Sequence, residues 1–270
     1  MIIIFMVYDA IAQEAGQNDI SVALALKQYV GKDLLAKLYE NWQGIVLQGG
    51  GALSHVYGSP RLSVDLDFAH QLPAQDLKIK LTDTLSKYII EKHFECSYEF
   101  AFTNPSDDRL TRIKLVAITP LGERNSLHGE FYSVPVHQSE KRNLLGTQHA
   151  VIVESPTELL ADKIKATIER QGKRGFLKIS DLFDMWYLKE KAGAALDREL
   201  VGQKFIDYCM VPSDFNSARK AVQEKLAKPA VIAAALKRDL KMPKTFGFSE
   251  EVCYEIIRVA RDIFDSIREP

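Results

Sequence analysis

One stretch limits the folds open to this 270-residue chain more than any other. The apolar run Ile45-Val46-Leu47 stops at Gly49-Gly50-Gly51, and Arg61-Leu62-Ser63-Val64-Asp65-Leu66-Asp67-Phe68 follows shortly after. A short apolar run ended by glycines reads as a buried strand. The next segment, with Ala52, Leu53, His55, Val56 and Tyr57, reads as a helix that begins near Gly51 and is stopped by Gly58-Ser59-Pro60. Residues 62–68 alternate and read as a second strand. Side chains two apart on a strand share a face, so Asp65 and Asp67 project together and could share one divalent cation. The glycines let backbone N–H groups approach a phosphate. A phosphate cradle beside paired carboxylates suits Mg²⁺-assisted phosphoryl or nucleotidyl transfer. The same alternation fits a solvated carboxylate pair, because Val64, Leu66 and Phe68 supply an apolar opposite face. The glycine turn favours the metal reading, since three consecutive glycines are entropically costly to order.

Downstream, residues 74–92 read as a helix, 94–102 and 110–119 as strands around the turn Asn104-Pro105-Ser106-Asp107-Asp108, and 129–137 as another strand. Upstream, residues 20–41 carry a helical apolar stripe. Met1-Ile2-Ile3-Ile4-Phe5-Met6-Val7 reads as a buried strand or as N-terminal packing. It has no basic leader, ends at Asp9 and is too short to span a bilayer. Around Ile152 the pattern changes. Helices are expected over 156–171, 178–191, 197–209, 214–227, 229–238 and 248–268. The division expected is therefore an α/β domain over 1–150 and a helical domain over 151–270.

Bulk properties exclude several classes. With 46% hydrophobic and 26% charged residues the chain is ordinary for a water-soluble globular protein. A formal net charge of -1 supplies no global attraction to nucleic acid. Cys96, Cys209 and Cys253 form neither a disulfide framework nor a zinc pattern, which fits a reducing cytoplasm. The histidines show no ligand spacing.

The glycine turn and the Arg-x-Ser-x-Asp-Leu-Asp-Phe element resemble the AbiEii/AbiGii-type nucleotidyltransferase toxins. That resemblance covers roughly residues 30–190. It implies an α/β (α+β) fold: a mixed-sheet nucleotidyltransferase core with a C-terminal helical domain. It also implies transfer of a nucleoside monophosphate from an NTP, with Mg²⁺ or Mn²⁺, to an RNA (tRNA) or protein acceptor. The biological role it implies is the toxin half of a toxin–antitoxin or phage-defence pair, with a cognate antitoxin as partner. By the same resemblance Asp65 and Asp67 hold the metal, and Gly50 and Gly51 seat the phosphates. Gly51 stands where the family usually has Ser or Thr.

A third carboxylate usually comes from a neighbouring strand in a Lys-x-Asp or Lys-x-Glu pattern. Ile113-Lys114-Leu115-Val116 matches at Lys114, a phosphate-contact candidate, but Val116 stands at the acid position. Glu99 or Glu130 could substitute, one metal could suffice, or the fold could bind nucleotide without turning it over. A second block, Ser155 to Lys163 followed by Arg170 and by Ser180-Asp181-Leu182-Phe183-Asp184, also resembles the family. It implies that Lys163 contacts nucleotide phosphates and that Asp181 supports the active centre. Without the resemblance, Ser155 and Glu158 read as a capping box, and Asp181 and Asp184 as helix-face partners of Lys178 or Lys163. Arg170 to Lys178 is the densest basic cluster and holds Phe176. It reads either as a polyanion contact or as a solvated helix–helix loop.

Overall fold

The computed structural model describes residues 2–92, 96–103, 107–209, 215–243 and 246–267. The chain divides into two units. Met1–Val136, Glu140–Val153 and Met242–Thr245 form the first; His137–Ser139, Glu154–Lys241 and Phe246–Pro270 form the second.

The sheet contains β1 (Ile45–Gln48), β2 (Asp65–His70), β3 (Ser97–Thr103), β4 (Leu110–Ile118), β5 (Arg124–Ser133), β6 (Ser139–Asn143) and β7 (Ala150–Glu154). Their order across the sheet is β3-β4-β5-β2-β1-β7-β6. Two of the pairings are parallel, β2 with β5 and β1 with β7, while β3, β4 and β5 form an antiparallel meander. β5 therefore lies between β4 and β2.

The helices of this unit are α1 (Ile2–Asn18), α2 (Val22–Asn41), α3 (Gly49–His55) and α4 (Ala74–Lys92). Ser21 caps α2, its Oγ accepting from the Leu24 N–H at 3.2 Å. Leu26 and Val30 of α2 face Leu115 and Leu127 of the sheet, and α4 packs beside β3. Phe68 and Phe131, opposite one another in register, stack with ring centroids 4.6 Å apart and no exposed surface. Each buries enough apolar area to contribute on the order of 2–3 kcal/mol.

Of the two readings of residues 1–7, a buried strand or N-terminal packing, the strand is not realised: Ile2–Val7 form the first part of α1, and Met1 lies outside the described residues. The β-branched run suggested a strand, but no breaker separates it from the alanine-rich segment that follows, and the helix continues through both. Ile11 and Ala15, one turn apart, are buried on the side that meets α2. β6, with sequence SEKRN, was not expected at all. The strand expected over 129–137 starts earlier, at Arg124. Residues 94–95 of another expected strand, Asn104, Pro105 and Ser106 of the turn, and positions 214 and 268 of two expected helices lie outside the described residues.

The second unit holds α5 (Pro156–Arg174), α6 (Ile179–Glu190), α7 (Arg198–Asp207), α8 (Phe215–Leu226), α9 (Pro229–Asp239) and α10 (Glu250–Ser266). α5 begins as its capping residues predict: Ser155 accepts from the Glu158 N–H at 3.2 Å and Pro156 occupies the first turn. It ends at Gly175, whose φ of 60° is left-handed. α10 turns Cys253, Ile256, Ile257, Ala260, Ile263 and Phe264 inward, and α6, α8 and α9 pack against it.

A charge cluster is buried in this unit. The Lys204 ammonium, fully buried, lies 2.6 Å from Glu158, 3.1 Å from Glu154 and 3.2 Å from Asp162. Glu158 also accepts from the backbone N–H groups of His137 and Gln138. Burial, reinforced by the Asp162 charge, pushes the Glu154 carboxyl well above the usual carboxylate range. Burial alone would depress Lys204, but Glu154, Asp162 and Glu158 hold it well above an ordinary lysine.

Candidate active site

The glycine turn joins β1 to α3 without an intervening loop. Gly49 has φ +64°, a conformation that side chains with a Cβ adopt only under strain. A Cβ there would also sit 2.2 Å from Asp67 Oδ2. At Gly50 it would meet Ser63 Oγ at 2.6 Å and Arg61 Nη2 at 2.7 Å, and at Gly51 the Asp65 carbonyl oxygen at 3.2 Å. The three glycines thus let the whole Arg61–Asp67 segment close onto the turn. Arg61 and Ser63 are parts of the site that the sequence reading quoted within the motif but gave no role. Their place in the Arg-x-Ser-x-Asp pattern was the available signal.

Asp65 and Asp67 lie on the same face of β2, with Asp65 exposed and Asp67 half-buried. Their neighbours on that face come from β5: His128 opposite Asp65 and Glu130 opposite Asp67. His128 Nδ1 is 3.5 Å from Asp65 Oδ1. Glu130 accepts from Arg112 Nε at 2.8 Å, and Arg112 stands opposite it on β4. Lys114, exposed, stands opposite His128 on that same strand. Lys114 therefore shares the face of the acid pair but is one strand removed from it.

This register corrects the search for a third carboxylate. The Lys-x-acid spacing sets Val116 at the acid position, which requires its strand to adjoin the acid pair. It pairs instead with Ser126 of β5 and Glu99 of β3, so β5 stands between Val116 and Asp65. Glu99 is farther away and is bridged to Arg124 at 2.6 Å. Glu130 is the acid that the register sets beside Asp67. Among the described residues no three His, Cys, Asp or Glu side chains converge as a metal cage. Mg²⁺ does not require one, since it is commonly held by one or two carboxylates, with waters and substrate phosphates completing the octahedron. The hard oxygens of Asp65 and Asp67, beside a turn that any Cβ would fill, fit such an ion.

In the second unit, Lys163 and Arg170 project from α5 two turns apart toward the first turns of α6. Lys163 Nζ lies 2.7 Å from Asp184 Oδ2 and 3.4 Å from Asp181 Oδ1, and Arg170 Nη1 bonds Asp181 Oδ2. Both aspartates are buried and Lys163 is nearly so. The four charges cancel. The reading of Asp181 and Asp184 as helix-face partners of Lys163 is thus realised. Lys178, the other partner considered, is exposed at the N-terminus of α6.

The sequence profile of the family described as "Nucleotidyl transferase AbiEii toxin, Type IV TA system" matches residues 34–250. The chain belongs to this AbiEii nucleotidyltransferase toxin family. The match extends some way beyond residue 190, where the motifs read from the sequence end. Two Helicobacter pylori crystal structures share the fold at 17% identity. JHP933 aligns over 89% of this chain and 90% of its own, with a TM-score of 0.53. A protein described as a candidate nucleotidyltransferase aligns over 92% and 97%, with a TM-score of 0.55. No curated protein sequence matches the chain. Among the described residues no helix is long and apolar enough to cross a membrane.

Proposed function

We propose that this AbiEii-family chain transfers a nucleoside monophosphate from an NTP to an RNA or protein acceptor, as the toxin of a toxin–antitoxin pair in the cytoplasm. The observation that carries this reading is the pairing of Asp65 and Asp67 on one strand face with Gly49, whose missing Cβ leaves room for the Asp67 carboxylate. Asp65 and Asp67 would hold Mg²⁺ or Mn²⁺, and a bound ion supplies Lewis acidity and neutralises phosphate charge. The backbone N–H groups at Gly50 and Gly51 orient phosphate oxygens, and Arg61 and Lys114 add positive charge on the nucleotide side. Such a site works chiefly by positioning and electrostatics. Lys163 takes part through the network that Asp181 holds in place. The domain division proposed is a catalytic unit over 1–150 and a helical unit over 151–270.

A second reading is nucleotide binding without turnover. The observation favouring it is that Arg112 occupies the Glu130 carboxylate, the one acid in register with Asp67. Incubation with each α-³²P-labelled NTP, Mg²⁺ or Mn²⁺ and total bacterial RNA decides between them. Label entering RNA or protein, and lost in Asp65→Ala/Asp67→Ala, is the expected result. Metal-dependent NTP binding with no label transferred would overturn the transferase reading in favour of the second.

A further inference from the structure

We propose that the turn between α5 and α6 binds single-stranded nucleic acid, with Phe176 as the platform for an unpaired base and Arg174 and Lys178 as phosphate contacts. The turn is rigid by construction. Gly175 takes the left-handed conformation and returns its N–H to the Gln171 carbonyl at 2.9 Å. Lys225, from α8, clamps it by donating to the Gly175 carbonyl at 2.5 Å and to Gln171 Oε1 at 2.7 Å. Leu177 is anchored inside at 6% exposure, while its neighbour Phe176 stands out at 55%.

The cations of this cluster fall into two classes. Arg170 is committed to Asp181, and Lys173 to Glu169 at 2.7 Å. Arg174 and Lys178 are exposed and, among the described residues, have no carboxylate partner. They bracket Phe176 along the chain. A lone exposed phenylalanine is unremarkable on any surface. One held on a clamped turn between two uncommitted cations is different, because it offers a flat ring and positive charge together. Along the chain its surface neighbours are Gly175 and the two cations, since Leu177 turns inward, and that charge favours a polyanion over an apolar partner. Unpaired bases stack on such rings whatever their identity, and flanking basic groups track the backbone. Duplex bases are already stacked and unavailable. The inference does not depend on nucleotidyl transfer.

The test is fluorescence anisotropy with labelled oligouridine and oligothymidine of about 12 nucleotides, within the range of single-strand site sizes. NTP and divalent metal are omitted, so failure here leaves the transferase reading untouched. The intact chain is expected to bind single strands. Phe176→Ala should weaken binding about 5- to 150-fold. Arg174→Glu/Lys178→Glu should flatten the slope of log affinity against log salt by about 1.4, two phosphate contacts at ~0.7 each. Lys237→Glu, an exposed charge reversal on α9, should change neither. Binding of either oligomer supports the site, and their ratio reports which sugar it prefers. Failure of the intact chain to bind single strands overturns the proposal. So does equal binding of a matched duplex together with an unaffected Phe176→Ala variant.

Discussion

Replacing Lys204 with methionine removes a cation that faces three carboxylates at 2.6–3.2 Å. Methionine keeps most of the side-chain volume, so the cavity cost is small. What remains is uncompensated buried charge, and breaking such a group from one side costs about 3–5 kcal/mol. The deficit must also depend on pH. Without the ammonium, the buried carboxylate cluster as a whole should hold one more proton in the folded state than it does in wild type, where the Glu154 carboxyl is already raised. Stability relative to wild type then falls as pH rises, by about 1.4 kcal/mol per pH unit for each extra proton. The gap between Lys204→Met and wild type should therefore widen by about 3 kcal/mol from pH 5.5 to 7.5. Urea unfolding in a Trp42→Phe background, where Trp186 alone reports the helical unit, measures it. Adding Glu154→Gln removes one uncompensated acid and should recover part of the loss. A deficit that is the same at both pH values would refute the charge argument and leave packing as the cause.

Three further outcomes follow from the first unit. Burial, with the nearby Lys32 charge, lowers the His55 pKa to about 4. The unfolded imidazole titrates near 6.5. Stability is thus retained above about pH 6.5 and lost as pH falls toward 4, by about 3 kcal/mol. His55→Gln should flatten that acid limb in urea unfolding followed at Trp42. Gly49→Ala imposes a left-handed alanine, at about 1–2 kcal/mol, and drives a methyl into Asp67. Label transfer should drop at least about tenfold while near-UV circular dichroism stays native. Glu130→Gln should lower label transfer, whereas Val116→Asp should not raise it, because β5 separates that position from the acid pair and the buried site gives a carboxylate no compensation; a gain from Val116→Asp would contradict the register argument.

The parts legible in the sequence were those whose signals are local. Ser155 and Pro156 start a helix where they must, Gly175 ends it, and the alternation around Asp65 puts two acids on one face. Three features were hidden for separate reasons. The SEKRN segment of β6 has no apolar face, and its extended form comes from its sheet neighbour rather than from its residues. The Ile2–Val7 run has strand-like composition, but chain continuity into an alanine-rich segment decides for helix. The neighbour of Asp67 is a property of strand order. Sequence spacing from a lysine on β4 points to Val116, while parallel pairing with a later strand sets Glu130 there. His128 was dismissed for lacking ligand spacing along the chain, although it comes within 3.5 Å of Asp65 across the sheet.

The parallel seam of β1 with β7 sets a timetable for synthesis. The Tyr39 hydroxyl donates to the Ile152 carbonyl at 2.7 Å, a partner made 113 residues later, and Leu47 pairs with Val153. At about 5–20 residues per second, the emerging chain carries that flank of β1 open for on the order of ten seconds. An open strand flank is a template for pairing with other chains. Messages or proteolytic events that end the polypeptide ahead of Val153 are therefore expected to yield insoluble material rather than a small folded fragment, although both aspartates and the whole glycine turn would already have been made.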